Sequence, residues 1–404
     1  MRETGNKPKL LYLGYAFPPG VANLFPEAQP AGHVIETSLI TAVQPWFEIR
    51  SVGLSWIDVD RLETRDNSPG LPNILNLLDK KPELLNQLRS LRRLKQAFVA
   101  WERSGWTPDL IMVCNALCPV YNGFMRWLKG RPAAPFSILY LADSMLLQQK
   151  LSWTKRMRYR LKPLKWTDSE MVPFFDACVA VSRSTREFFA ERKVPWLWLP
   201  NGCDPKRAIR EGGETPQGPI QIGYFGTLAL HGGIPQLLKI FTARPREAVI
   251  NICGYGKARQ TLAAQYAAFP DIRFHEPRTP DECVRFARGC DLMINARPIV
   301  PGNQNNFSSK VFEYALSGRA ILTSCLSGVE EILGEDAFYF DAENFETSLA
   351  ETLDRVIAIP RPELHRRGQA LQDRMLREFS WEKQGERLAS FLTRFAPADG
   401  PVIA

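Results

Sequence analysis

Residues 303–322 read NQNNFSSKVFEYALSGRAIL. Ser308 and Ser309 stand where a helix N-terminus is expected, a helix follows from Lys310 to about Ser317, and Gly318 ends it. The apolar run DLMINA (291–296) lies before this helix and AILTS (320–324) after it. Strand, helix and strand in that order make a crossover unit, in which the two strands run parallel. The pattern continues outward in both directions. IQIGYFG (220–226), AVINICG (248–254) and IRFHE (272–276) precede it. Nearer the start stand KLLYLGY (9–15), LIMVCN (110–115), FSILYLA (136–142) and ACVAVS (177–182), with a helix expected from His33 to Val43. Continuous apolar strands alternating with helices imply parallel sheets covered on both faces. Right-handed crossovers then build Rossmann-like layers.

The series breaks once. PKRAIREGGETPQG (205–218) is rich in Gly, Pro and charge and has no period. The expected organisation is therefore an α/β chain with a Rossmann-like domain over 1–204, a linker over 205–218 and a second Rossmann-like domain over 219–378. The tail from 379 to 404 holds an amphipathic helix, with Trp381, Leu388, Phe391 and Leu392 on one face.

Composition bounds the function. The 404 residues are 45% hydrophobic and 23% charged, enough chain for about two or three domains. No run of about 18 apolar residues exists, which excludes a transmembrane helix. MRETGNKPKL lacks the apolar stretch of a secretory signal, so a cytoplasmic location is expected. Cys114, Cys178, Cys253 and Cys325 sit in or beside apolar runs, and the four histidines (33, 231, 275, 365) are scattered. Buried reduced thiols are expected and a metal site is not. Residues 1–200 hold 27 Lys and Arg against 18 Asp and Glu, while the rest of the chain is balanced. An acidic partner for the first half alone follows.

Lys310 and Glu313 carry the chemistry of the 303–322 stretch. A helix N-terminus presents unpaired N–H groups and partial positive charge, which suits a phosphate, and Lys310 adds a full charge in the first turn. Glu313 is one turn on, on the same face. A cation for a diphosphate and a carboxylate for ribose hydroxyls fit one nucleotide; a solvated helix pair is the alternative.

The string FSSKVFEYALSGRAIL resembles the donor-binding helix of GT-B glycosyltransferases, particularly the family 4 enzymes of bacterial polysaccharide assembly. Ser308, Lys310, Glu313, Tyr314, Ala315 and Gly318 match that family's pattern. Pro200-Asn201-Gly202-Cys203-Asp204 resembles its interdomain junction, GYFGTL (223–228) its first glycine turn and INICGYG (250–256) its next strand. FSWEKQGERL resembles the closing helix that returns to the first domain. The resemblance implies a GT-B fold with both sheets facing an interdomain cleft. It implies transfer of a sugar from a nucleotide diphosphate sugar, uridine-based before guanosine-based, without metal or bound cofactor. The donor would meet Gly226, Thr227, Gly254, Ser308, Ser309, Lys310 and Glu313.

Two departures from the family stand out. Asn305 replaces the first of two glutamates, and no Arg or Lys follows the glycine turn. Lys310 is then the main cation on the diphosphate, with His231 and Arg297 as candidate helpers; either is otherwise loop or surface chemistry. In the first domain Asp143 ends the strand FSILYLA, where a carboxylate can deprotonate an acceptor hydroxyl. It resembles the base of the inverting bacterial glucuronosyltransferases, and an N-cap role is the alternative. Gly32 and His33, after the long loop 21–31, are expected at the acceptor. Residues 150–166 hold seven Lys or Arg and no acid, interleaved with Trp153, Tyr159 and Trp166. With Arg89, Arg92, Arg93 and Lys95 they fit an anionic membrane, so peripheral binding at the inner face of the cell membrane is expected. Nucleic acid, which such a stretch also fits, is not the expected partner. The acceptor implied is polyprenyl-linked or an oligosaccharide. A nucleotide-sugar epimerase and a catalytically decayed binding protein are the rival readings. A dinucleotide oxidoreductase is disfavoured, because no GxGxxG follows the first strand.

Overall fold

Leu110–Cys114 reads LIMVC and every one of its residues is buried, as a strand covered on both faces requires. The computed structural model describes residues 7–15, 30–55, 74–78, 84–115, 118–142, 172–209, 218–228, 232–256, 258–276, 279–300, 303–304 and 306–397. The chain divides into two units, Met1–Pro200 with Trp381–Ala404, and Asn201–Ser380.

In the first unit the chain runs β1 (Lys9–Gly14), α1 (Pro30–Val43), β2 (Glu48–Ser55), β3 (Ile74–Leu78), α2 (Leu84–Arg103), β4 (Leu110–Cys114), α3 (Pro119–Lys129), β5 (Phe136–Leu141), β6 (Ala177–Ala180), α4 (Arg183–Ala190) and β7 (Trp196–Trp198). The strands form a seven-stranded sheet in the order β3-β2-β1-β4-β5-β6-β7. All pairs are parallel, with Leu10 opposite Ile49 on one side and Leu110 on the other. Leu11, Leu13, Phe98, Val113 and Phe124 lie in its core. Each such buried side chain contributes roughly 1.5–3 kcal/mol.

In the second unit β8 (Ile220–Thr227), α5 (Ile234–Thr242), β9 (Ala248–Tyr255), α6 (Arg259–Gln265), β10 (Ile272–His275), α7 (Pro280–Arg288), β11 (Leu292–Asn295), α8 (Lys310–Leu316), β12 (Ala320–Ser324), α9 (Val329–Leu333), β13 (Phe338–Phe340), α10 (Phe345–Ile357) and α11 (Arg361–Glu378) follow in turn. Their sheet is six-stranded and parallel, in the order β10-β9-β8-β11-β12-β13. β9 lies on one side of β8 and β11 on the other, so the strand order reverses at the carboxyl end of β8. Ligands of open α/β sheets bind at such a point.

The final helix, α12 (Trp381–Thr393), belongs to the first unit and packs on α1. Gly385 allows this approach, since a Cβ there would overlap the carbonyl of Ala42. Gln384 Nε2 donates to Pro200 O at 2.7 Å and Arg387 Nη2 to Trp198 O at 3.0 Å. Beyond the helix, Phe395 stacks on Phe136 with ring centroids 4.4 Å apart. The stretch expected to be a linker is partly built into the second unit. Pro205–Arg207 forms a 3-10 turn capped by Asp204, and Ile209 N donates to Leu316 O at 3.2 Å. Cys325, expected to be buried, is exposed just past the end of β12.

Asp291, at the start of β11, is fully buried and accepts from Gln221 N at 2.8 Å, from Arg361 Nε at 3.2 Å and from His365 Nε2 at 3.2 Å. It ties α11 to the sheet that carries the site. Asp291→Ala removes the shared acceptor of these three half-buried donors, which should destabilise the protein by about 1.5–3 kcal/mol. Chemical denaturation should show a lower midpoint at unchanged slope; an unchanged midpoint would contradict this role.

Candidate functional site

The carboxyl end of β8 carries Tyr224, Gly226 and Thr227. Gly226 has φ +133°, which other residues rarely adopt, and a Cβ on it would overlap Cε and Nζ of Lys310. Lys310 opens α8 and lays its side chain across that bare backbone. Its Nζ donates to Tyr224 Oη at 2.7 Å and sits 4.6 Å from the centroid of the Tyr224 ring. Tyr224 Oη in turn donates to Thr227 O at 2.8 Å. The ammonium is thus held in place by a short relay anchored on the end of β8.

Lys310 as a whole is half-buried. Burial, reinforced by the positive charge of Arg297, pushes its pKa down to about 7. An anion placed there would favour the ammonium form and offset both effects. Arg297, just beyond β11, donates from Nη1 to Asn306 O at 2.9 Å and from Nη2 to Asn303 Oδ1 at 2.6 Å. It therefore braces the loop that leads to α8 while acting electrostatically on Lys310 and Tyr224. Ser327 Oγ donates to Asn303 O at 2.7 Å, holding the same loop from the other side.

The remaining predicted donor residues divide by role. Gly254 lies opposite Gly226 in the β8–β9 register and is buried. Ser308 Oγ lies 3.2 Å from Asn295 Oδ1, so its hydroxyl is spent on the end of β11. Asn295 also donates to Thr323 Oγ1 at 3.0 Å. Ser309 occupies the N-cap of α8 without a side-chain capping bond. Glu313 lies one turn beyond Lys310, about one-third exposed, and its Oε1 accepts from Arg207 Nη1 at 3.0 Å. Tyr314 is structural: its Oη donates to Phe225 O at 3.1 Å and clamps β8 against α8. Burial raises its pKa well above the usual phenol value.

The motif reading missed Tyr224 and Arg207. Tyr224 was legible as part of GYFGTL, but nothing local links it to Lys310, 86 residues away. Arg207 stood in the stretch read as linker. It joins Glu313 to Asp281, whose Oδ1 accepts from Arg207 Nε at 2.8 Å. Burial disfavours the guanidinium charge, but the two carboxylates outweigh it and the pKa is raised.

In the first unit, Asp143, His231 of the second and the basic stretch 150–166 lie outside the described residues, as does Asn305. The backbone just before Asp143 is fixed, since Ala142 N donates to Asn115 Oδ1 at 2.9 Å. Asn115 holds a left-handed φ of 43° to make that bond at the end of β4. Gly32 lies exposed in α1, and nothing described comes within 4 Å of where its Cβ would stand. His33, next to it, is buried, and burial lowers its pKa. Glu36, one turn on, is buried and accepts from Tyr15 N at 2.7 Å, which ties α1 to the end of β1.

Residues 236–390 match the family model described as Glycosyl transferase-like. No curated protein matches the chain by sequence. Several solved structures share its fold. Sucrose-phosphate synthase from Thermosynechococcus elongatus superposes with a TM-score of 0.72 at 12% identity, over 96% of this chain and 98% of that one. HepE from Anabaena, in complex with UDP and glucose, gives 0.65 at 14% identity over 96% and 100%. The lipopolysaccharide outer core galactosyltransferase WaaB gives 0.65 at 12% identity over 96% and 99%. The chain therefore has the GT-B glycosyltransferase fold, with a glycosyl transferase-like match over residues 236–390.

Proposed function

We propose that the protein is a glycosyltransferase that moves a sugar from a uridine diphosphate sugar to a hydroxyl of a lipid-linked or oligosaccharide acceptor in cell-surface polysaccharide assembly. The observation that carries this reading is the Lys310 ammonium, seated on Gly226 at the switch point of the sheet with Arg297 acting on it. A diphosphate is a ligand whose charge offsets the cost of burying that ammonium beside Arg297. HepE has been solved with UDP and with UDP-glucose, which supports the same donor class. As the sugar–oxygen bond breaks, negative charge grows on the leaving diphosphate, and fixed cations beside it lower the barrier. In this reading Lys310 and Arg297 supply that stabilisation without a metal ion, and Glu313 receives the ribose. Gly226 seats Lys310; Thr227 and Gly254 lie beside it at the donor, and Ser308 and Ser309 stand at the loop that leads to α8. Asp143 takes the acceptor proton, and Gly32 and His33 lie towards the acceptor.

Calorimetry with UDP-glucose, whose diphosphate does not titrate near neutrality, tests the donor site. The free Lys310 value of about 7 rises once the diphosphate is bound, so the complex holds more protons than the free protein. Affinity should be full below pH 7 and fall as pH rises through that value, by up to about tenfold per unit. Proton uptake should appear as a dependence on buffer ionisation heat. Constant affinity from pH 6 to 9 without proton uptake would remove Lys310 from the site.

The membrane reading rests on the first unit. Leu84, Leu85 and Leu88 are 53%, 75% and 45% exposed along α2, beside exposed Arg89, Arg92 and Arg93. Apolar and basic side chains together on one helix suit an anionic lipid surface. No described helix is long and apolar enough to cross a membrane. Sedimentation with phosphatidylserine vesicles should show salt-sensitive binding, at about 1 kcal/mol per basic residue that reaches the surface. Reversing Lys155, Arg156 and Arg158 to Glu should release the protein while soluble-acceptor turnover persists. Equal binding to neutral and anionic vesicles would count against docking by charge.

A further inference from the structure

Arg207 is held in place from three directions. Its own turn is capped, with Asp204 Oδ1 accepting from Lys206 N at 2.9 Å. Two residues on, the Ile209 N–H donates to the carbonyl of Leu316, in the last turn of the helix that carries Glu313. Gln372 Nε2 then bridges the carbonyls of Ile209 and Leu316 at 3.2 and 2.6 Å. The backbone beside Arg207 and the helix bearing Glu313 are therefore one fixed body. On the side-chain end, Asp281 sits in the first turn of α7, whose start is set by a reciprocal capping box between Thr279 and Glu282. Asp281 holds Nε, leaving Nη1 to reach Glu313.

The contact is one-sided in a useful way. Nη1 engages Oε1 of Glu313, and Oε2 makes no hydrogen bond among the described residues. Arg207 is only 17% exposed at its side chain, so it acts from behind the carboxylate rather than from solvent. Without it, the Glu313 carboxylate is free to turn among its rotamers and withdraws its oxygens from a sugar hydroxyl, while Lys310 stays on Tyr224 and Gly226.

We propose that Arg207 is a positioning residue: by holding Oε1 of Glu313 it presents Oε2 to the vicinal ribose hydroxyls of the donor nucleotide and so makes the site prefer ribonucleotides. This rests on the reading of Glu313 as the ribose ligand. Hydrogen bonds to a charged group are the stronger kind, so the preference should be large.

Binding of UDP and of 2′,3′-dideoxy-UDP to the full chain, measured by calorimetry, tests the idea. The wild-type protein should prefer UDP by about 10–100-fold. Arg207→Ala should cut that preference to about threefold or less, with dideoxy-UDP affinity nearly unchanged; Arg207→Lys should restore part of it. The retained dideoxy-UDP affinity also shows that the variant is folded. Glu313→Ala should lose the preference equally, and the double variant should lose nothing more, because coupled residues are not additive. If Glu313→Ala loses the preference while Arg207→Ala keeps it, Arg207 has no positioning role and the ribose reading stands. A fall for both nucleotides by the same factor in Arg207→Ala and Arg207→Lys would make Arg207 a scaffold residue and overturn the proposal. A wild-type protein blind to the ribose hydroxyls, or a Glu313→Ala protein that still reads them, would overturn the ribose reading and the proposal together.

Discussion

Lys310→Met should lower kcat/KM for sugar transfer by about 10²–10³-fold, the effect of removing one charged donor from a transition state that gathers negative charge. Methionine keeps an unbranched stem to lie on Gly226, and Tyr224 retains its bond to Thr227 O, so the local packing survives. The loss should fall on kcat as well as on KM, because the diphosphate carries more charge in the transition state than in the bound donor. Steady-state kinetics with varied donor separate the two. Wild-type kinetics in Lys310→Met would show that the diphosphate lies elsewhere.

A comparably large effect is expected at Asp143. Asp143→Asn preserves size and can still cap a helix, but cannot accept a proton. If Asp143 is the general base, the rate should fall by about 10²–10⁴-fold with nucleotide affinity unchanged. The same role calls for inversion at the anomeric carbon, since an in-line displacement needs its base opposite the leaving diphosphate. Under retaining chemistry the departing phosphate can take the proton, and Asn should be milder. NMR of the product's anomeric configuration, paired with this variant, decides between them. A retained configuration from an active Asp143→Asn enzyme would remove the base assignment.

Much of the fold was legible because its strands are continuous apolar runs. KLLYLG, LIMVC, FSILYL and AILTS emerge as β1, β4, β5 and β12 close to the limits read from sequence. β2 was not, since in EIRSVGLS the apolar residues are interrupted by Arg50, Ser51 and Gly53. β7 and β13 have three residues each, too few for any period to register. The site divides the same way. Lys310, Glu313 and Gly226 share local motifs, and the helix at 310 begins where its flanking residues predict. What the motifs do not contain is partnership. The Arg207–Glu313 pair spans 106 residues, and the Ile209–Leu316 bond beside it is equally invisible to a local motif. Ser308 shows the converse, since its place in the motif suggests a phosphate ligand while its hydroxyl is turned to Asn295.

The return of α12 to the first unit bears on how the chain is made. Asn201–Ser380 is one uninterrupted segment and can complete its sheet while the ribosome is still adding the tail. The first unit has its strands early, but the α1 surface around Ala42 waits for Gly385. Synthesis therefore runs ahead of folding by some 180 residues in the part that emerges first, against the usual order in which the N-terminal domain is finished before the next begins. During that interval the surface of α1 around Ala42 has no helix over it. That surface is open to chaperones and to aggregation in a newly made chain, and a frameshift or stop after Ser380 would strike the unit encoded before the one just completed.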